Sequence, residues 1–442
     1  MENSKIVVGL DIGTTAIKAV VSEASNNQLN IIGVGSSHSE GLSRGIIVDI
    51  DQTTEAIKVA VKKAAEQSNT DIKDVVIGLP SNGVQIQQCQ GMIAIGDQSK
   101  EIDDNDVKNV MSAALIQNLP PEQEYISLIP NSFSVDGFKN IKDPRGMIGI
   151  RLEFNGILYS IPKSIVHNAE RSVERAGLNV IHEVIAPAAL SQVALDNGER
   201  NFGSVIIDFG GGQCTASVIH DQKLKFTTID PEGGELITHD ISVVLNTTMD
   251  SAAQLQRYYG NADSSQVSDS EKFPVKIVGK DQPQIISNKY LSEIIEARVK
   301  QIFGRLKKSL QSVKALDLPG GIVLTGGVAE LPGVENIARQ VFGVKVRTYV
   351  PTQMGLRHPA FAESLGLISY AQNLNDLDII ARNVVHGDNQ ETVSASDEDS
   401  SEDEEVEYTR KPTPKRKQEK TKEKPKSSTT SKLKSFWDKF FD

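Results

Sequence analysis

Val7-Val8-Gly9-Leu10-Asp11-Ile12-Gly13-Thr14-Thr15-Ala16-Ile17-Lys18-Ala19-Val20-Val21 decides how this 442-residue chain is read. A β-branched run ends in an aspartate, a glycine-bearing turn follows, and a second β-branched run leaves it. The same plan returns about 200 residues later as Ser204–Ile219, SVIIDFGGGQCTASVI. That spacing is far beyond the period of a solenoid, so the natural reading is a duplicated domain with a cleft between the copies. Glycine lets a backbone come close to a phosphate, and the N–H groups of such a turn point at its oxygens. An aspartate at the strand end offers a hard oxygen to Mg²⁺, usually through the ion's water shell. Asp11, Gly13, Thr14 and Thr15 fit one such turn, and Asp208, Gly210, Gly211 and Gly212 fit the other. Lys18 would add a point charge near the phosphates. Alone, Asp11-x-Gly13 is the mark of an ordinary glycine hairpin; two facing copies make a phosphate clamp.

A third element lies downstream: Ile322-Val323-Leu324-Thr325-Gly326-Gly327-Val328-Ala329, followed by Pro332-Gly333. A strand ending in Gly-Gly exposes backbone against which a flat base can lie. The sequence G-x-x-x-x-G-K-[ST] does not occur, so the P-loop reading fails. Together the three elements resemble the phosphate-1, phosphate-2 and adenosine motifs of the actin, sugar kinase and heat-shock chaperone superfamily. The resemblance implies ATP and Mg²⁺ in the cleft between two lobes, with Asp11 and Asp208 on the metal side. The fold class it implies is α/β, actin-like and two-lobed, with duplicated ribonuclease H-like domains.

The rest of the chain agrees with α/β organisation, since short β-branched runs alternate with helical patterns from Lys5 to about Ala381. Strand-like runs include Ile6–Ile12, Ala16–Ser22, Asn30–Ser36, Val75–Leu79, Ser204–Phe209, Ala216–His220 and Gly321–Thr325. Helical patterns include Thr53–Gln67, Lys163–Ala176, Ser251–Tyr259, Leu291–Ser312 and Val334–Phe342. Gly177 suits a helix C-cap, and Pro332-Gly333 a helix entry. Composition is that of a soluble protein, 38% hydrophobic and 24% charged, with no apolar run near the ~18 residues of a membrane span. The N-terminus lacks the features of a signal peptide. Two cysteines, Cys89 and Cys214, are too few for a disulfide framework or a zinc site, and the cytoplasm is the simplest compartment.

Several stretches narrow the branch. Ile129-Pro130-Asn131-Ser132-Phe133-Ser134-Val135-Asp136-Gly137 and Asp143-Pro144-Arg145-Gly146-Met147-Ile148-Gly149 resemble the FtsA family of bacterial cell division proteins, in its extra subdomain 1C. Gly45–Ile50 and Gly233-Gly234-Glu235-Leu236-Ile237-Thr238-His239-Asp240-Ile241 are similar to the same family. Asp-Gly and Asp-Pro-Arg-Gly are good turns in any protein. Turn chemistry explains any one of these stretches and poorly explains all of them in order.

The resemblance implies subdomain 1A at 1–80 and 163–198, 1C at 81–162, 2A at 199–228 and 310–385, and 2B at 229–309. It implies nucleotide contacts from Gly233, Gly234, Gly326, Gly327 and Val328 besides the two turns. It further implies stacking into filaments through 1C, docking of the FtsZ C-terminal tail on 2B, and recruitment of later division proteins. Lys289 and Arg298 fall in the segment that usually supplies basic contacts to that tail. The implied place is the cytoplasmic face of the cell membrane at the division site.

Two departures bear on turnover. The family's helix after Thr238 usually carries Ala-Glu-x-Leu-Lys, whereas here Ala253-Gln254-Leu255-Gln256 precedes Arg257, which would partly substitute. The chaperones place a glutamate before the proline of Ile185-Ala186-Pro187-Ala188-Ala189; Ala186 has no acceptor to orient water. The expectation is ATP binding with weak or absent hydrolysis, and no general base is assignable. The alternatives are a pilus-assembly scaffold of the same fold, or a metabolite kinase, for which no sugar-facing carboxylate motif stands out.

After His386 the pattern stops. Eight acids fall between Asp397 and Glu407, then nine bases between Arg410 and Lys426, so the formal net charge of −11 hides two opposite blocks. Overall acidity argues against a general nucleic-acid binder. Residues 386–431 hold too little apolar surface to offset ordering entropy and read as a disordered charged linker. A flexible coil of about 45 residues reaches roughly 35–40 Å. Leu433, Phe436, Trp437, Phe440 and Phe441 then fall at i, i+3, i+4, i+7 and i+8, one face of a helix over 432–442. Each large side chain fully buried in lipid contributes about 1.5–3 kcal/mol, and nearby lysines favour anionic lipid. This is the pattern of a peripheral membrane anchor, the alternative being a helix that docks on the protein's own body or on another protein.

Overall fold

The computed structural model describes residues 5–25, 28–96, 100–116 and 119–387. The linker and the amphipathic stretch read from the sequence therefore lie outside the described residues.

The β-branched runs become two five-stranded sheets of one topology. In the first lobe the order is Asn179–Ile185, Asp74–Leu79, Lys5–Ile12, Ala16–Ser25 and Gln28–His38. In the second it is Val346–Thr348, Ile322–Thr325, Ser204–Phe209, Cys214–His220 and Lys223–Asp230. Each has three strands joined as antiparallel hairpins and two parallel strands added beside the first. Parallel pairing needs a crossover, and a sheet covered on both faces needs runs of Val and Ile rather than alternation. Val7, Val8, Leu10, Val75, Val76 and Ile77 are buried in one sheet, and Val205, Ile206, Ile207, Val323 and Leu324 in the other. The duplication read from two short motifs is thus a duplication of the whole sheet.

Helix boundaries follow local chemistry. Ile50–Ser68 starts at Asp49, whose side chain accepts from Gln52 N–H, and ends at Asn69 in the left-handed region. Lys163–Arg175 is followed by Gly177 with φ +83°, whose N–H donates to the Glu174 carbonyl at 2.9 Å. Val334–Phe342 begins after Gly333 and closes at Gly343, both left-handed.

Between Asp74–Leu79 and Lys163–Arg175 the chain builds a separate four-stranded antiparallel sheet, in the order Gln85–Ala94, Arg151–Pro162, Gln123–Val135 and Phe138–Ile141. Helix Asp104–Ala114 packs on one face, opened by a reciprocal capping box between Asp103 and Asp106. Phe133 and Phe154 meet across paired strands with centroids 5.3 Å apart. Asp136 and Gly137, both at positive φ, form the tight hairpin turn that an Asp-Gly pair favours.

One assignment needs correction. Sequence places 310–385 in subdomain 2A, but its last two helices leave the second lobe. Ala362–Gln372 buries Leu365, Leu367 and Ile368 against Val7, Val20 and Val76 of the first lobe. Asp376–His386 lays Ala381, Leu377 and Ile380 on the core of the inserted sheet. An apolar helix face shows that it must be covered and leaves open by what.

Candidate functional site

Strand geometry brings the two aspartates together. In the first hairpin Asp11 stands opposite Lys18, and Lys18 Nζ donates to Asp11 Oδ2 at 2.7 Å. In the second, Asp208 stands opposite Thr215 and runs parallel to Thr325 at the end of the neighbouring strand. Burial, with Asp11 nearby, pushes the Asp208 carboxyl up to about 6, and Lys18 partly offsets this. Burial alone would lower the Lys18 ammonium, but Asp11, Glu363 and Asp208 outweigh it and hold its pKa above the usual lysine value. The floor of the site is therefore a fixed cation among three acids.

The turns press close. A Cβ on Gly211 would fall 2.2 Å from Thr15 Cγ2, and one on Gly212 2.6 Å from Thr14 Cγ2, so only glycine lets the hairpins face each other at this separation. Helix Gly234–Val244 starts against the second turn, with Gly234 N–H and Glu235 N–H donating to the carbonyls of Gly210 and Gly211 at 3.1 and 2.9 Å. Gly326, at φ +89°, stands where a Cβ would lie 2.3 Å from Asp208 Oδ1. The Gly-Gly after the third strand is thereby held directly beside the second aspartate.

These elements frame one cleft of about 930 Å³. Its wall includes every nucleotide-site residue named from sequence, Arg257 and Val328 among them, except Gly233. Gly233 lies behind the second turn, where a Cβ would meet the Gly211 carbonyl oxygen at 2.4 Å. Of the two amides that depart from the family pattern, Gln256 faces the cleft and accepts from Thr238 Oγ1 at 2.6 Å, while Gln254 is exposed to solvent. Ala186 and Pro187 form part of the same wall, and Ala186 offers only a methyl group.

Sequence reading missed Glu363. It sits in the first turn of Ala362–Gln372 and enters the cleft because that helix returns to the first lobe. Burial, then Asp11 and Asp208, raises its carboxyl well above the usual range. No local signal marks it, since a glutamate in a first helical turn is ordinary. Gln213 was passed over as the residue after the glycine triplet, yet it also lines the cleft.

The donor set suits a hard cation carried mainly by other ligands. Two carboxylates converge, and among the described residues no group of three or more His, Cys, Asp or Glu is placed to cage a metal. Mg²⁺ keeps several waters and is commonly held by one or two carboxylates plus phosphate oxygens. The crowding that raises Asp208 is what a divalent cation would relieve.

The proposed partner contacts have different fates. Lys289 is exposed. Arg298 is spent internally: its Nε and Nη2 donate to Asp240 at 2.6 and 2.9 Å, and its Nη1 to Glu232 at 2.9 Å.

Comparison with known proteins places this architecture. The family model described as cell division protein FtsA matches residues 205–366, and the SHS2 domain inserted in FtsA matches residues 81–160. The chain is 48% identical to the cell division protein FtsA of Enterococcus hirae, over the full length of both. It is 40% identical to that of Bacillus subtilis, over 84% of each chain. The chain belongs to the FtsA family of cell division proteins. Solved structures of low identity share its fold: the PilM–PilN type IV pilus biogenesis complex, with TM-score 0.58 and 16% identity, covers 84% of this chain and 99% of that one. Spiroplasma citri MreB5 bound to ADP has TM-score 0.51 and 12% identity, over 87% of this chain and 99% of that one. The FtsA fold is thus actin-like, and the four-stranded sheet belongs to its SHS2 insert, the 1C subdomain, matched over residues 81–160. Among the described residues no helix is long and apolar enough to cross a membrane.

Proposed function

We propose that this FtsA-family chain binds ATP with Mg²⁺ in its cleft, assembles into actin-like filaments, and ties the FtsZ ring to the cytoplasmic membrane. The observation that carries the nucleotide reading is the convergence of the Asp11 turn, the Asp208 turn and Gly326-Gly327 on one cleft. In it the backbone N–H groups of the two turns cradle phosphates, while Lys18 supplies a cation beneath them. Asp11 and Asp208 are the residues that would hold Mg²⁺, and the chemistry the ion would supply there is neutralisation of phosphate charge. Gly326, Gly327 and Val328 form the platform for the base; Thr238, Gln256 and Arg257 stand on the ribose side. Ala186 leaves no acceptor for an attacking water, so turnover is slow or absent.

The tether is the segment 432–442, with Leu433, Phe436, Trp437, Phe440 and Phe441 facing lipid. One such short helix binds reversibly; a filament that presents many binds far more tightly through effective concentration. Assembly and attachment then reinforce each other. The partner surface we propose for the FtsZ tail lies on 229–309, where Lys289 is an exposed cation, and later division proteins join the assembled complex. Identity to FtsA proteins over full length outweighs the distant likeness to the pilus protein, and sets the kinase alternative aside.

Trp437, the single tryptophan, provides the test. Anionic phosphatidylglycerol vesicles should shift its emission to the blue, and Trp437→Asp should abolish vesicle sedimentation without changing ATP binding. A chain that ignores vesicles even when polymerised has no tether.

A further inference from the structure

The inserted 1C sheet is rooted beside the phosphate turn. The chain leaves Asp74–Leu79 through Pro80, Ser81 and Asn82, and returns at Pro162, whose ring a Cβ on Gly83 would meet at 2.8 Å. Among the described residues, hydrogen bonds at four places tie this insert to the second lobe. Thr227 Oγ1 donates to Ser81 Oγ at 3.1 Å, Tyr159 Oη to the Leu224 carbonyl at 2.9 Å, and Lys223 Nζ to Asn131 Oδ1 at 2.8 Å. Those three go to Lys223–Asp230, the outer strand of its sheet. The fourth goes to the phosphate turn itself. Asn82 Nδ2 donates to Gln213 Oε1 at 3.2 Å and Gln213 Nε2 donates to Asn82 Oδ1 at 3.3 Å, a reciprocal amide pair.

Gln213 is placed to feel both hairpins. Its own carbonyl accepts from Gly210 N–H at 3.0 Å, closing the second turn. Its side chain lies against Gly45, where a Cβ would fall 2.6 Å from Gln213 Nε2, and Gly45 N–H donates to Thr14 Oγ1 of the first turn at 2.9 Å. A planar amide with both hydrogen-bonding groups committed to one partner has little freedom to rotate independently. Displacement of residues 210–213 must carry Asn82 with it or break two hydrogen bonds.

We propose that the Gln213–Asn82 amide pair is the link by which the phosphate turn sets the position of the inserted 1C sheet. It rests on the nucleotide reading of the cleft, and Asn82 acts as a positioning residue. A polyphosphate that moves the second turn thereby alters the insert, the surface through which copies of the chain are proposed to stack, without touching it.

Hydrogen exchange on the full chain, with and without Mg·ATP, tests this. In the unaltered protein Mg·ATP should slow exchange across 81–94 and 151–162 by about threefold or more. Asn82→Ala, which lies off the cleft wall, should keep ATP affinity within about threefold and lose most of that slowing. Asn82→Asp retains an acceptor for Gln213 Nε2 and should keep part of it. Equal slowing in Asn82→Ala and the unaltered chain overturns the link, as does faster exchange that is the same with and without ATP. Failure of the unaltered chain to bind ATP overturns the nucleotide reading and the link together.

Discussion

Lys18 Nζ stands 2.7 Å from Asp11 Oδ2, and the two side chains are only 13% and 8% exposed. The pair spans the first hairpin across opposed register positions, so the strand pairing itself sets the distance. Breaking such a buried pair from one side leaves an uncompensated charge, which is why its partners in the cleft respond.

Lys18→Met should weaken Mg·ATP binding by at least about tenfold, equivalent to about 1.4 kcal/mol, because phosphates lose their cation and Asp11 and Asp208 lose their shared counter-charge. Titration with a fluorescent ATP analogue measures it. Affinity equal to that of the unaltered chain would place the phosphates elsewhere.

Gly343→Ala tests backbone strain by itself, and Gly326→Ala tests strain and crowding together. Both glycines have positive φ, but Gly343 is left-handed (φ +77°, ψ +20°) whereas Gly326 is extended (φ +89°, ψ +163°), a region close to glycine-only. Gly343 has open space where a Cβ would go, so its substitution should cost roughly 1–2 kcal/mol. Gly326→Ala adds a carbon 2.3 Å from Asp208 Oδ1, and should cost more and abolish nucleotide binding. Urea midpoints of the two variants give the difference directly, and equal losses would count against the packing described here.

Arg298 and Lys289 should separate in the same way. Arg298→Ala leaves Asp240 without its guanidinium and Glu232 with Arg305 alone, and should lower stability by roughly 1–3 kcal/mol. Lys289→Ala should leave the unfolding free energy within about 0.5 kcal/mol of that of the unaltered chain, and weaken binding of an FtsZ tail peptide measured by anisotropy. The reverse pattern would make Arg298 the contact residue.

Glu170, on Lys163–Arg175, is raised to about 7 by burial and by neighbouring Glu183, which is itself raised mainly by burial. A carboxyl with a higher pKa folded than unfolded keeps its proton in the native state, so stability falls as pH rises from about 4.5 through about 7. His386, 3.8 Å from Glu183, is lowered mainly by burial, and its contribution runs the other way below its unfolded pKa. Glu170→Gln should therefore raise the melting temperature relative to the unaltered chain at pH 8, with the gain shrinking at pH 5. A gain of the same size at both values would show that the carboxyl is ionised throughout.

Local chemistry made much of the fold legible. A strand–aspartate–glycine–strand run needs only neighbouring residues to form, so its two copies announced both sheets and both phosphate turns. Val334–Phe342 was bounded by flanking glycine and proline, and the boundaries agree. The long helix Asn288–Ser312 was read from Leu291, three residues late, because its start is set by Ser287 capping Tyr290 N–H rather than by an apolar residue.

What sequence by itself determined was the set of pieces that hydrogen bonds and steric limits specify within a few residues: the duplicated turns, the glycines beside them and the order of elements. Tertiary structure alone decided that Ala362–Gln372 and Asp376–His386 cross back to the first lobe and its insert, which put Glu363 into the cleft. It alone decided that Arg298 serves Asp240 and Glu232, and that Gln213 reaches Asn82. Periodicity records that a face is covered and composition records that a charge exists. Which distant residue covers or neutralises it depends on packing the whole chain at once.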